Sequence, residues 1–255
     1  MPNYVTLTPE ARGPLSVYPI KSVRHFGVEA FVTDRYGGVS TGPYDSLNLG
    51  DHVDDDVDHV SENRRRVAEA AGVSLERLTL VRQVHGVEVA VANEVTPDTE
   101  ADVLLTYGDD LALTILVADC VPMLLVDEIS LRVALVHAGW KGLHGGVLAA
   151  ALAHFEQPHT VHAFLGPCIS AEAYQVGPDV ASLFSDVAGA VAPDTGDRSR
   201  LDLRAVALSQ LNGLGVADER VTVAQQTTDG GETFFSDRHQ RPCGRFALVA
   251  KRIVV

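Results

Sequence analysis

Three apolar runs each end in a side chain that can bind a metal or act as a nucleophile: "RQVHG" at His85, "LTILVADC" at Cys120 and "LRVALVHAGW" at His137. Each is followed within two residues by Gly or Pro. Strand ends on a rigid scaffold are where mixed sheets collect their chemistry. Two imidazoles and one thiolate are a donor set of the type that holds catalytic zinc, leaving a fourth tetrahedral position for water or substrate. Zinc there would keep Cys120 ionised and lower the pKa of a bound water towards ~7. The long, irregular separations leave another reading open, in which Cys120 is a small core hydrophobe and the histidines are hydrogen-bonded elsewhere.

Several further residues fall into chemically suggestive company. "HAGWKGLHGG" is a glycine-dense turn feeding a helix read from "GGVLAAALAHF", so its amides and Lys141 form a candidate anion seat. It is not a Walker A loop, since no Ser or Thr follows the lysine. "ENRRRVAEA" carries Arg64, Arg65 and Arg66, which point in different directions on a helix, so one or two can face a pocket. "FFSDRHQRPCGR" sets two phenylalanines beside Arg238, Arg241 and Arg245, either core aromatics with surface arginines or a loop that stacks a base and neutralises phosphate. Cys168 follows Gly-Pro with no basic partner evident and reads as structural. The acidic run "GDHVDDDVDHVSE" fails as a calcium loop: His59 stands where the sharp-turn glycine belongs and Arg65 where the bidentate glutamate belongs. It reads instead as a solvated lead-in to a helix.

The elements that must position these residues are mixed. "VDHVSENRRRVAEAAG" reads as a helix capped by Asp56 or Asp58, burying Val57, Val60, Val67 and Ala71 and stopped by Gly72. "LTLVRQVHGVEVAVA" reads as two strands bent at Gly86. "ADVLLTYGDDLALTILVADC" reads as a short strand, a turn at Gly108, Asp109 and Asp110, and a long buried strand ending near Cys120. Strands are also expected in "LRVALVHAGW", "TVHAFLGPCIS" and "GRFALVAKRIVV", and helices in "PDVASLFSDVAG" and "DLRAVALSQLNGLG". Helices and strands interleave without strict βαβ order, which predicts an α/β (α+β) mixed-sheet architecture.

The 255 residues are 46% hydrophobic, show no linker or repeat, and are compatible with one domain over 1–255, residues 1–24 being set apart as an N-terminal extension. The formal charge of −14 argues against nucleic acid and anionic membrane as partners. No stretch reaches the ~20 apolar residues of a membrane span, and the start lacks a secretion signal, so the expected location is cytoplasmic. Three cysteines without a CxxC pair argue against a disulfide framework.

Taken in order, "SLNLGDH", "ENRRR", "RQVHG", "ADCVP", "VHAGWKGLHGG", "GPCISAEAYQVG", "FFSDR" and "GR" resemble the bacterial YfiH-like family, long labelled polyphenol oxidase or laccase domain. The resemblance runs from about residue 25 to the C-terminus. It implies mixed β-sheets packed between outer helices in α/β/β/α layers, and His85, Cys120 and His137 as zinc ligands. The implied activity is zinc-dependent phosphorolysis of adenosine, inosine, guanosine and methylthioadenosine, with adenosine deamination alongside. The partners are then a purine nucleoside and phosphate, and the protein a monomer. Asn48 and Arg64 match the family's nucleoside pocket. Arg64 and Lys141 are expected to seat phosphate, Arg238 to bind substrate, and Asp119, beside Cys120, to move the proton in deamination. A hydrolase editing a peptidoglycan precursor, also attributed to this family, and a metal-free cysteine hydrolase using Cys120 and His137 are the alternatives. Thr227, Gln175, Asp237, His239 and Asp54 depart from the family pattern, which bears on substrate preference because the last loop helps enclose the pocket. The laccase label meets an obstacle: none of the ten histidines forms a His-x-His pair of the kind that gathers several coppers.

Overall fold

The computed structural model describes residues 1–108, 110–130 and 132–253. Asp109 of the expected turn, Leu131 at the head of an expected strand, and Val254 and Val255 lie outside the described residues.

The chain opens with β1 (Asn3–Val5), β2 (Glu10–Arg12), β3 (Leu15–Pro19) and β4 (Val28–Thr33). Helix α1 (Val57–Ala70) precedes β5 (Leu78–Thr79), β6 (Val89–Val91) and β7 (Val103–Thr106). Three strands buried along their whole length follow: β8 (Ala112–Val117), β9 (Val121–Asp127) and β10 (Val133–Ala138). Then come α2 (Trp140–Gly145), α3 (Val147–Leu152), β11 (Val161–Leu165), β12 (Gln175–Val176) and α4 (Pro178–Ser182). The remainder is β13 (Val191–Pro193), β14 (Ser199–Leu201), α5 (Leu203–Gly213), β15 (Val221–Ala224) and β16 (Phe246–Arg252).

Side-chain alternation along the buried strands stacks these elements into layers. One large sheet runs β1-β15-β11-β9-β10-β7-β6 and a second β2-β3-β4-β16-β8-β5, both with parallel and antiparallel pairs, while β12-β14-β13 form a small antiparallel third sheet. On β10, Val133 and Leu135 face the second sheet while Ala134, Val136 and Ala138 face α2, α3 and α5. On β8, Leu113, Ile115 and Val117 face the first sheet while Ala112 and Leu116 face α1. The order is therefore α1, sheet, sheet, and the α2, α3 and α5 layer. Each fully buried aliphatic side chain contributes about 1.5–3 kcal/mol, which makes this sandwich a firm mount for whatever emerges at its end. Residues 1–24 are built into it: β1 joins one sheet, and β2 and β3 join the other. No helix among the described residues is long and apolar enough to cross a membrane.

Some expected elements differ. Asp56 does cap α1, accepting from the amides of Asp58 and His59, but Val57 is 73% exposed and outside the buried face. The expected strands around Gly86 shrink to β5 and β6, because the amides of Val84, His85 and Gly86 bond a buried carboxylate instead of a neighbouring strand. The expected turn after His137 is itself helical as α2, and Gly146, at φ 89°, separates it from α3. The helix expected over "PDVASLFSDVAG" stops at Ser182, where Leu183 and Phe184 tighten into bonds three residues back.

Candidate metal centre and substrate pocket

Strand β8 lies in one sheet and β9 in the other, so the chain crosses between layers through Ala118, Asp119 and Cys120. His137 lies on β10 opposite Pro122, and alternation with Leu135 points it to the inter-sheet side. His85 approaches from the irregular segment between β5 and β6. Both His85 (φ 60°) and Asp119 (φ 90°) hold positive φ, a conformation uncommon outside glycine and enriched at functional sites. One donor atom each from His85, Cys120 and His137 lies within 4.8 Å of the other two. The two imidazole rings stand edge to face, 4.7 Å apart at 72°. His137 is buried and His85 exposed, so the cluster opens to solvent on the His85 side.

Two residues that sequence reading passed over build this cluster. Asp102, fully buried, accepts from the amides of Val84, His85 and Gly86 at 3.2, 3.0 and 2.6 Å and bonds Nδ1 of His137 at 2.7 Å. One carboxylate thus fixes the backbone under the first histidine and the ring of the second, leaving Nε2 of His137 for the cluster. Burial works against the Asp102 charge, but the hydrogen bond and charge of His137, with the Gly86 and Val84 amides, hold its pKa below the ordinary value. Gly139 supplies room. A Cβ there would stand 2.9 Å from Sγ of Cys120 and 3.1 Å from Cδ2 of His85.

The electrostatics favour a thiolate. Burial opposes ionisation of Cys120, yet the charge of His137 and hydrogen bonds from His137 and His85 outweigh it and lower the thiol pKa. Burial likewise disfavours the His137 cation, and the Cys120 and Asp102 anions overcome it, raising that pKa. Cys168 is the opposite case: fully buried, its thiol is pushed up to about 11 by desolvation, which fits the structural reading.

A pocket of about 510 Å³ surrounds the cluster, lined by Asp119, Lys141, Tyr174, Arg238, Arg241 and Arg245 among others. Asp237 engages two of these cations, Arg241 at 2.5 Å and Arg245 at 3.2 Å. Lys141 and Arg238 have no carboxylate partner for their side chains among the described residues. Arg238 stacks over the Tyr174 ring, 5.0 Å from its centroid, and donates from Nη1 to the Gln175 carbonyl at 2.8 Å. Lys141 sits 5.7 Å from the Trp140 ring.

The other expected site residues lie apart or are otherwise occupied. Arg64 donates from Nε to the Leu49 carbonyl and pairs with Asp51 at 3.1 Å, lining a neighbouring cavity and not this pocket. Asn48 is fully buried. Its Nδ2 donates to Gly50 and Asp55 and its Oδ1 accepts from Gly50 and Arg245, so the amide is spent on joining two loops. Asp119 lines the pocket, but its oxygens accept from Thr228 Oγ1 at 2.5 Å and the Arg238 amide at 2.7 Å. Geometry makes it a residue that holds the Arg238 loop against the cluster.

A model of the family described as multi-copper polyphenol oxidoreductase laccase matches residues 29–252. The chain belongs to this YfiH-like family. Within it, a purine nucleoside phosphorylase of Corynebacterium glutamicum is 38% identical over 239 residues, covering 89% of this chain and 95% of its own. The purine nucleoside phosphorylase YfiH of Escherichia coli is 37% identical over 227 residues, covering 87% and 92%. The solved structure of YlmD from Geobacillus stearothermophilus superposes with a TM-score of 0.89 at 29% identity, covering 97% of this chain and 99% of that one.

The several coppers in the family's description do not match the number of clusters in this member. Among the described residues one cluster of three metal-capable groups is found, and one of its donors is sulfur. Two imidazoles and a thiolate can hold one ion, zinc or a single copper, whereas a multicopper centre needs several histidine-rich sites. Of the positions that depart from the family pattern, Asp237 lines the pocket, and none belongs to the cluster. Thr227 bridges to Cys168, the Gln175 side chain donates to Asp194, and Asp237 binds the two arginines.

Proposed function

We propose that this chain is a single-domain, zinc-dependent purine nucleoside phosphorylase, accepting adenosine, inosine, guanosine and methylthioadenosine, and that it also deaminates adenosine. The observation that carries the reading is the convergence of His85, Cys120 and His137 inside a pocket with two cations, Lys141 and Arg238, that have no carboxylate partner among the described residues. The names of the curated relatives support the same substrate class. His85 Nε2 or Nδ1, Cys120 Sγ and His137 Nε2 would hold the ion, with Asp102 fixing the second imidazole through Nδ1. When bound, zinc supplies Lewis acidity at one open coordination position.

The chain's own residues do the rest. Lys141 and Arg238 seat phosphate oxygens beside the cluster, their charges uncommitted to carboxylates. An oxygen of hydrogen phosphate then bonds to the ribose anomeric carbon as the carbon–nitrogen bond to the purine breaks, and the proton given up by the phosphate ends on the departing base. Tyr174, with Arg238 over its ring, offers a face for the purine or ribose. Asp119 keeps the Arg238 loop in place. In this reading the protein works in the cytoplasm as a monomer.

A second reading rests on the Cys120, His137 and Asp102 alignment, which also has the form of a nucleophile, base and orienting carboxylate. Metal content and product analysis decide between them. Near-stoichiometric zinc in the purified protein, lost in Cys120→Ser, is expected, as is adenine from adenosine only when phosphate is present. Inosine in the same assay reports deamination. Turnover that persists after chelation supports the cysteine hydrolase. Cleavage of a seryl-muramyl precursor, without turnover of any purine nucleoside, supports the editing hydrolase.

A further inference from the structure

Four lysine and arginine side chains line the metal pocket, and they fall into two pairs. Lys141 and Arg238 have no carboxylate partner among the described residues. Arg241 and Arg245 share one. Oδ2 of Asp237 lies 2.5 Å from Nη2 of Arg241, and its Oδ1 lies 3.2 Å from Nη2 of Arg245. All three belong to the segment between β15 and β16, and Asp237 itself is part of the lining.

The paired half is anchored to the scaffold. The Arg245 amide donates to Oδ1 of Asn48, and its Nη1 donates to the carbonyls of Cys243 and Gly244. The Arg245 stem runs against Gly50, where a Cβ would stand 2.9 Å from Cγ. These contacts fix the guanidinium with Nη2 against Asp237. The side chains of Arg245 and Asp237 are 19% and 29% exposed, so water and salt only partly screen their attraction. Arg241, at 75%, stands at the mouth.

This division decides which anions the pocket can hold. A pocket of about 510 Å³ falls in the ~300–1,000 Å³ range that takes a small organic ligand, so volume alone does not separate a nucleoside from its 5′-monophosphate. Charge can. A phosphate monoester carries about −1.5 to −2 at neutral pH and needs cations in exchange for its water. During phosphorolysis Lys141 and Arg238 serve the co-substrate. The other two cations are matched by Asp237, whose carboxylate would itself face the incoming ester. The formal charge of −14 on the whole chain adds a background field of the same sign. Setting an unmatched charge against the wrong ligand is a common route to specificity.

We propose that Asp237 is the residue by which this site tells a nucleoside from a nucleoside 5′-monophosphate: it neutralises Arg241 and Arg245, leaving cations for one phosphate, the co-substrate, and none for a phosphate ester on the sugar. The inference rests on the nucleoside reading above and names the class of substrate that reading excludes.

The test is calorimetric binding to the metal-loaded full chain, with inorganic phosphate at saturation so that the co-substrate seat is filled. The ligands are a C-nucleoside analogue of inosine, whose glycosidic carbon–carbon bond cannot be phosphorolysed, and its 5′-monophosphate. The native chain should bind the nucleoside at least about tenfold tighter than the monophosphate. Asp237→Asn should narrow that ratio about tenfold at low salt, and by less at about 0.5 M salt, where the charges are screened. Asp237→Glu keeps the charge and should keep the native ratio. Arg241→Gln, at an exposed position, leaves Asp237 less compensated and should widen the ratio about threefold. Equal affinity for both ligands in the native chain overturns the inference. So does a ratio unmoved in Asp237→Asn or, where that variant does not fold, in Arg241→Gln. If the C-nucleoside does not bind the native chain, the nucleoside reading falls and this inference with it. If it binds and the ratio is indifferent to Asp237, this inference alone falls.

Discussion

The Asp102 carboxylate and the His137 imidazole meet at 2.7 Å in the fully packed end of the sheet sandwich, and the same carboxylate carries the three amides beneath His85. Asp102 is thus the single group that couples both imidazole donors. Asp102→Asn keeps the volume but puts an NH₂ group on one side of that arrangement, where only acceptors serve. Zinc affinity should fall about 10- to 100-fold, the usual cost of losing a carboxylate behind a metal-binding histidine. Competition against a chromophoric chelator measures it; unchanged affinity would mean that Asp102 only supports the fold.

Gly139 offers a cleaner perturbation. Its backbone is extended, at φ −84° and ψ 171°, a conformation that alanine adopts freely. The cost of Gly139→Ala is therefore local contact with Cys120 Sγ and His85 Cδ2. Thermal unfolding of the metal-free protein should shift by no more than about 3 °C, while zinc affinity drops about tenfold, as expected when ligand positioning is disturbed. A large loss of metal-free stability with intact affinity would contradict this assignment.

Arg64 and Arg238 are separated by what each already touches. Arg64 is committed to Asp51 and the Leu49 carbonyl, whereas the Arg238 guanidinium faces the pocket with only a neutral carbonyl and the Tyr174 ring as partners. Arg238→Ala should raise the KM for phosphate about 10- to 100-fold, the worth of a hydrogen bond to a charged group. Arg64→Ala should change it little. Initial rates against phosphate concentration test the contrast, and equal effects would undo the proposed seat.

What the sequence made legible follows from range. The apolar runs that became β8, β9 and β10 declare themselves locally, and so do the donor types of His85, Cys120 and His137 at their ends. Gly139 was also within reach, since a glycine two residues past a candidate ligand invites the question of what sits against it. Asp102 was not. Its partners lie 16 to 18 residues away on one side and 35 on the other, and before folding it is one more acid ahead of an apolar strand. The same carboxylate, by taking the amides of Val84 to Gly86, removed the strands that local pattern predicted there. Which arginine faces the pocket is decided by the tertiary placement of Asp51 and Asp237, and no local pattern carries that.

Asp34 supplies a test of the scaffold that is independent of the metal. The residue is 3% exposed, and burial raises its carboxyl pKa to about 6 despite hydrogen bonds from the Tyr36 amide and the Ser16 side chain. Because the folded-state pKa lies above the ordinary value of 3.8, the folded state binds the proton more tightly than the unfolded chain. Its contribution is fully present below pH ~4 and is lost as pH rises through about 6, leaving a buried charge at neutrality. Asp34→Asn removes that ionisation. Relative to the native chain, the variant should gain stability between pH 4 and pH 7 by up to about 3 kcal/mol. Urea unfolding of both proteins across this range measures the difference, and a stability gap that does not move with pH would show that Asp34 ionises normally in the fold.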